Sequence, residues 1–343
     1  MENQNIVVVG ASAGGLEPLQ DLVSQLPPNF PAAVFVAWHM PPEAPSLLPQ
    51  ILQRLTDLPV SHPVNHEKIE SGHIYCAAPD YHLVIENNHA RLSRGPRENH
   101  FRPSIDVLFR SAAWSFGARA TGIILSGCLD DGVSGLFAIK RLGGKAIVQD
   151  PAEASFPDMP LNALKAVEID YSVSVKAMGN LLIEFAAEKS PENGHRREPS
   201  KYMETEIKIA LEENALEIGS LNLGEKTSYT CPECHGALVQ IAEGRTVRFR
   251  CHTGHAFSLN SLMIEVTKGI ETSLWNSLRV IEESQILMSH VARHLSENGN
   301  EEAAELLLRK VEFARKQASG LRELTFNNQI LSADKVLADA AGN

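Results

Sequence analysis

A chain of 343 residues, 43% of them hydrophobic, is long enough for one large domain with smaller modules attached. No apolar run reaches the length of a membrane span, and Met1, Glu2, Asn3 and Gln4 lack the basic and apolar regions of a signal peptide, so a cytoplasmic protein without membrane insertion is expected. A formal net charge of −11 argues against nucleic acid as a partner, because phosphate neutralisation needs a concentrated basic surface.

The chain opens on a β-branched run, Ile6 to Val9, followed by small residues and then by a helical apolar pattern at Leu16, Leu19, Leu22, Val23 and Leu26 that Pro27 and Pro28 stop. The loop between them, Gly10-Ala11-Ser12-Ala13-Gly14-Gly15, reads either as a phosphate cradle or as a turn that presents Ser12. A dinucleotide loop needs glycine where Ser12 stands, and a Walker loop needs a Gly-Lys-Ser/Thr that is missing. The spacing therefore favours a nucleophile elbow, in which small neighbours let a strained turn expose the hydroxyl.

Further strands are predicted at Ala33 to Trp38, His73 to Ala77, Leu83 to Ile85, Thr121 to Leu125 and Lys145 to Val148. The runs at Ile6, Ala33 and Thr121 are continuously apolar, as strands buried on both faces of a parallel sheet are. The fold class expected is α/β: a doubly wound, mostly parallel sheet with helices on both faces, followed by a small zinc ribbon and a C-terminal helical hairpin. The runs at His73 and Leu83 alternate more, with turns at Pro79-Asp80 and Asn87-Asn88, and read as an antiparallel hairpin at one edge. Three parallel strands lead into Ser12, His39 and Asp131, at the carboxyl ends where open α/β sheets gather their sites. A serine, a histidine and a carboxylate have the composition of a nucleophilic triad. Their order here is serine, histidine, acid, unlike the α/β-hydrolases.

Residues 189–200, KSPENGHRREPS, have a linker's composition. The expected organisation is a catalytic domain at 1–188, a linker with a short helix at 189–225, a zinc-ribbon-like module at 226–258 and a helical hairpin at 259–335. Cys231-Pro-Glu-Cys234 and Cys251-His-Thr-Gly-His255, separated by a hairpin that turns at Glu243-Gly244, have the layout of two metal knuckles. Cys231, Cys234, Cys251 and His255 are the expected ligands of a structural Zn2+, with His252 the competing fourth ligand. Helical spacing of apolar residues from Leu259 to about Leu295 and again from Glu301 to Phe326, about a turn at Glu297 to Asn300, predicts two long amphipathic helices. Their apolar stripe either packs on the zinc module or pairs with another copy, forming a homo-oligomer, or with a partner.

Five segments, VVVGASAGGLEPL, FVAWHMPP, FRPSIDVLFRSAA, GIILSGCLDDGVSGL and IVQDPAEASFPDMPLNAL, resemble in order the catalytic domain of the chemotaxis-type protein-glutamate methylesterases, the CheB family, over about residues 5–188. The resemblance implies Ser12 as nucleophile, His39 as general base and Asp131 as the orienting acid, with Asp130 its rival by adjacency. It implies hydrolysis of glutamate methyl esters, with glutamine deamidation allowed, on a methylated chemoreceptor or similar signalling protein, without a catalytic cofactor. Arg102 and Met159 fall in matched segments as cleft candidates, Arg102 alternatively as a structural ion pair. The chain departs from the family pattern at Ala13 and across Ser126 to Leu129, and no receiver segment precedes the match, so control by receiver phosphorylation within the chain is not expected. The competing reading is a non-catalytic scaffold that binds partners through its zinc and helical tail.

Overall fold

The computed structural model describes residues 4–188, 201–212, 214–332 and 336; the linker expected at 189–200 and the hairpin's end at 333–335 lie outside them. The chain forms two compact units, Met1–Ser261 and Leu262–Asn343.

The first unit is built around strands β1 (Ile6–Ala11), β2 (Ala33–Trp38), β3 (Val60–Ser61), β5 (Ile74–Cys76), β8 (Ala120–Ile124), β9 (Lys145–Gln149) and β10 (Tyr171–Val173). They form one sheet in the order β10-β9-β8-β1-β2-β5-β3, with every pairing parallel. From β1 the chain passes to β2, then to β3 at the edge and back to β5 between them, before crossing to the other side of β1 for β8, β9 and β10. The strand order thus reverses at β1, which opens a crevice beyond its carboxyl end. Alternation along β1 sends Ile6 and Val8 into one apolar layer and Val7, Val9 and Ala11 into the other.

Helices α3 (Ile105–Phe116), α4 (Val133–Arg141) and α5 (Asp158–Ala166) cover the first layer. Helices α1 (Leu16–Ser24), α2 (Leu48–Gln53) and α6 (Val175–Ala187) cover the second. This is the doubly wound arrangement expected from the continuous apolar runs. One pairing differs. Ile74–Cys76 is fully buried and joins the parallel sheet beside β2. The edge hairpin instead pairs β6 (His82–Glu86) with β7 (His89–Ser93) through Asn87 and Asn88, both at positive φ, while β4 (Glu67–Lys68) adds a third strand. The apparent alternation near His73 came from its flanks, and the short strand within is apolar on both sides.

Within residues 201–225, Ile209, Ala215 and Leu223 are buried together. Helix α7 (Lys201–Ala210) buries Met203, Ile207 and Ala210 in the first apolar layer. An antiparallel sheet then follows in the order β11 (Glu225–Thr230), β12 (Ala237–Glu243), β13 (Thr246–Cys251), β14 (Ala256–Ser258). Helix α7 and this sheet meet the parallel-sheet domain across a buried charge network. Arg110 of α3, Arg248 and Arg250 of β13 face Glu98, Glu206 and Glu243 at 2.6 to 3.3 Å.

The second unit continues α8 (Leu259–Glu297) and adds α9 (Glu301–Asn327). Trp275 meets Phe326 edge-on and Glu282 pairs with Arg322, the register of an antiparallel hairpin. Buried positions in α9 recur at Ala304, Val311, Ala318 and Thr325, a seven-residue repeat that makes a coiled-coil-like seam. No described helix is long and apolar enough to cross a membrane.

Candidate active site and Cys/His cluster

Strand β1 delivers Ser12 directly beyond its last residue, and β2 delivers His39 beside it. The Ser12 N–H donates to the Ser126 carbonyl at 3.0 Å, and the His39 N–H donates to the Ala11 carbonyl at 3.1 Å. The Trp38 indole N–H donates to the Ser12 carbonyl at 3.0 Å, tying the two strand ends together. The turn closes because Gly14 adopts φ +64°, where a Cβ would press on Phe156 and Ser155. Gly127 lies across from it; a side chain there would collide with Met159 Sδ and Ser12 Cβ. Ser126 braces both loops, its Oγ donating to the Ala13 carbonyl and accepting from the Phe156 N–H, each at 2.9 Å.

The structure brings Ser12, His39 and Asp131 together. Ser12 Oγ lies 3.0 Å from His39 Nδ1, and His39 Nε2 lies 2.7 Å from Asp131 Oδ2. An ionised carboxylate can only accept, so the ring proton sits on Nε2 and the Nδ1 lone pair faces the serine hydroxyl. Phe101 stacks on the His39 ring, with centroids 3.5 Å apart and planes within 6°.

Asp131 is buried, and loss of solvent alone would drive its carboxyl pKa up. The hydrogen bond from His39, followed by those from Asn99 and the Ile105 N–H, instead holds it below the ordinary aspartate range. Its five donors are His39 Nε2, Asn99 Nδ2, Ser104 Oγ and the N–H groups of Ile105 and Asp106, the last two from the first turn of α3. A buried ion costs several kcal/mol after relaxation. Hydrogen bonds to a charged group return about 1.5 to 3 kcal/mol each, so the ionised form wins. The carboxylate also caps α3, where the helix dipole favours negative charge. Neighbouring Asp106 behaves oppositely: burial, then the Asp131 charge, raise its carboxyl well above the usual range.

Asp130, the rival by adjacency, points elsewhere. It accepts from Ser258 Oγ at 2.6 Å and Asn260 Nδ2 at 3.1 Å. Arg102 is occupied by Asp80 at 2.6 Å and by the Arg94 and Gly95 carbonyls, a structural ion pair rather than a cleft group. Met159 is buried behind Gly127, to whose carbonyl its N–H donates at 3.0 Å. In the altered Ser126 to Leu129 loop, the Ser126 N–H is bonded to Gln149 and the Gly127 N–H to the Phe156 carbonyl. Sequence reasoning missed Asn99, Phe101 and Ser104. The one local signal was Ser104 directly ahead of the α3 pattern, a helix N-cap residue.

In the antiparallel sheet, Cys231, Cys234, Cys251 and His255 place their ligand atoms within 4.8 Å of one another. Cys234 Sγ to Cys251 Sγ is 3.7 Å, and His255 Nδ1 is 3.6 Å from Cys251 Sγ and 3.8 Å from Cys231 Sγ. A tetrahedron with bonds of about 2.3 Å has edges of about 3.8 Å, so the donor set fits a zinc ion in spacing and in chemistry. His255 Nε2 faces Glu233 at 3.2 Å, the carboxylate partner that fixes a ligating imidazole. His252 instead lays its ring against Gly236.

A family model described as CheB methylesterase matches residues 7–182. A Leptospira interrogans protein, provisionally named protein-glutamate methylesterase/protein-glutamine glutaminase, is 36% identical over 182 residues, covering 53% of this chain and 94% of its own. Protein-glutamate methylesterase/protein-glutamine glutaminase 3 of Burkholderia lata is 37% identical over 182 residues, 52% of this chain and 50% of its own. The crystal structure of the Thermotoga maritima CheB methylesterase catalytic domain superposes with a TM-score of 0.51 at 30% identity, covering 53% of this chain and 99% of that one.

Proposed function

The chain belongs to the CheB methylesterase family, and from that membership we propose that it is a protein-glutamate methylesterase that also deamidates glutamine, acting on methylated chemoreceptor-like proteins in the cytoplasm. The observation that carries this reading is the hydrogen-bonded series Ser12, His39, Asp131 at the point where the sheet order reverses. Ser12 Oγ attacks the ester carbonyl while His39 Nδ1 takes its proton. Asp131 steadies the imidazolium through Nε2 without taking a proton itself. His39 then protonates the departing methoxide, methanol leaves, and water activated by the same nitrogen releases glutamate from the acyl-enzyme. With a glutamine substrate the same steps release ammonia.

A structural zinc in the Cys231, Cys234, Cys251 and His255 cluster and self-association through the C-terminal helices complete the reading. The first is supported by the ligand spacing. The second is supported by exposed Ile286, Leu287, Phe313 and Leu324 outside the hairpin seam.

The test uses the full chain and a peptide carrying a glutamate γ-methyl ester. Methanol should be released by the wild type and not by Ser12→Ala. Release that survives Ser12→Ala overturns the proposal.

A further inference from the structure

The Asn99 side chain joins the antiparallel sheet to the acid of the triad. Strand β14 begins at Ala256, the residue after the cluster histidine, and its backbone runs beside residues 97–99. The Asn99 N–H donates to the Ala256 carbonyl at 2.8 Å, and the Ala256 N–H donates to the Arg97 carbonyl at 3.2 Å. Asn99 is buried and held at φ 52°. Its Oδ1 accepts from the Ser258 N–H at 2.7 Å and from Ser261 Oγ at 3.1 Å. Its Nδ2 donates to Asp131 Oδ1 at 3.0 Å and to Asp106 Oδ2 at 3.1 Å.

The orientation of this amide is forced. A backbone N–H can only donate, so Ser258 fixes which edge of the amide is oxygen. The NH2 edge must then face the two carboxylates, and both of its donors are used. An amide turned over would set Oδ1 against Asp131 and leave the Ser258 N–H facing a donor. Two residues on, Phe101 stacks on the ring that Asp131 orients. No such contact is needed to fold a zinc module.

We infer that Asn99 is a positioning residue through which the Cys/His sheet sets the geometry of Asp131 and His39. This rests on the triad reading of the previous section for its effect on rate, but the link to His39 is a separate physical claim.

The decisive experiment is a double-mutant cycle in the full chain with Asn99→Ala and Ser261→Ala. One readout is the rate of Ser12 acylation by a fluorophosphonate, separated into maximal rate and half-saturating concentration. The other is the set of ring resonances of 15N-labelled His39. Asn99→Ala should lower the maximal rate about tenfold or more, the scale on which outer-shell partners act, with half-saturation within about twofold. Ser261→Ala should lower it about threefold in the wild-type background and not at all once Asn99 is gone. Both should shift the His39 ring resonances, which a general loss of stability does not do in the folded fraction. If Asn99→Ala is too unstable to purify, Ser261→Ala tests the same link by one hydroxyl. Rate losses that multiply, or ring resonances that neither variant moves, overturn the inference. A wild type that no fluorophosphonate acylates defeats the hydrolase reading instead, and the ring resonances alone then decide.

Discussion

His39 presents Nδ1 to Ser12 and Nε2 to Asp131, so the carboxylate dictates which ring nitrogen carries the proton. Asp131→Asn should break that rule. The new amide offers a donor where only acceptors serve, which favours the tautomer with its proton on the serine side. The expected loss in kcat is about 10^3- to 10^4-fold with KM changed far less, as for the corresponding change in serine proteases. Steady-state kinetics on a γ-methyl glutamate peptide checks it. A loss below about tenfold would mean Asp131 is not the orienting acid.

Asp106 and Asp131 share the two donors of one amide and are driven apart in acidity. Because the folded-state pKa of Asp106 is raised, the native protein keeps a proton that the unfolded chain releases. Stability must therefore fall as pH rises from the ordinary aspartate value near 3.8 toward the raised one. Asp106→Asn removes the ionisation while keeping an acceptor for the Gly135 N–H, bonded now at 2.7 Å. Urea denaturation across this pH range should show a flatter stability profile for the variant. Parallel profiles would show that Asp106 carries no such burden.

Glu206 gives the opposite sign. Burial pushes its carboxyl up, but Arg110, Arg248 and Arg250 outweigh that and hold it down to about 2. A depressed folded pKa contributes stability that is complete above the ordinary glutamate value of 4.5 and lost as pH falls toward 2. Glu206→Leu strands arginines without a counter-charge in a buried site, a change that costs about 3 to 5 kcal/mol. Chemical denaturation at neutral pH measures that cost, and acid titration of the wild type measures the pH window.

What the sequence made legible follows from range. Ile6–Ala11 and Ala33–Trp38 announce themselves because burial on both faces writes a continuous apolar run, and the clustered Cys231 and Cys234 because their spacing is a local pattern. Asn99 and Ser258 carry no period and no motif, and their importance exists only once residues 159 positions apart meet. Arg248 and Arg250 are harder still. In TVRFRC the alternation marks one face of β13 as charged, which ordinarily means solvent, but Glu98, Glu206 and α7 cover that face. Periodicity tells which residues share a face and not what covers it.

The hairpin of α8 and α9 keeps a seam of Ala304, Val311 and Ala318 inside, yet leaves Ile286, Leu287 and Phe313 more than half exposed. An apolar surface of this kind favours association. Wild-type protein should sediment as an oligomer, and Leu287→Ser with Phe313→Ser should shift it to monomer without changing its helix content. Sedimentation velocity distinguishes the two, and a wild type that is monomeric at high concentration removes self-association from the reading.

Removal of the metal should act locally before it acts globally. The knuckles are held by short backbone bonds, Cys231 N–H to the Gly236 carbonyl at 2.8 Å and Cys251 N–H to the His255 carbonyl at 2.9 Å, which cannot restrain three thiols converging on one point. A shared ion would, and its binding energy would become folding energy for the strands it joins. The parallel sheet has two apolar layers of its own, which an ion at the cluster does not supply. Elemental analysis should therefore find about one zinc per chain, the closed four-ligand stoichiometry of a structural site. Chelation should raise hydrogen exchange in β12 and β13 while the amides of β1, β2 and β8 stay protected. Purified protein that contains no metal and yet protects β12 and β13 fully would show that the cluster holds its shape through thiol packing alone.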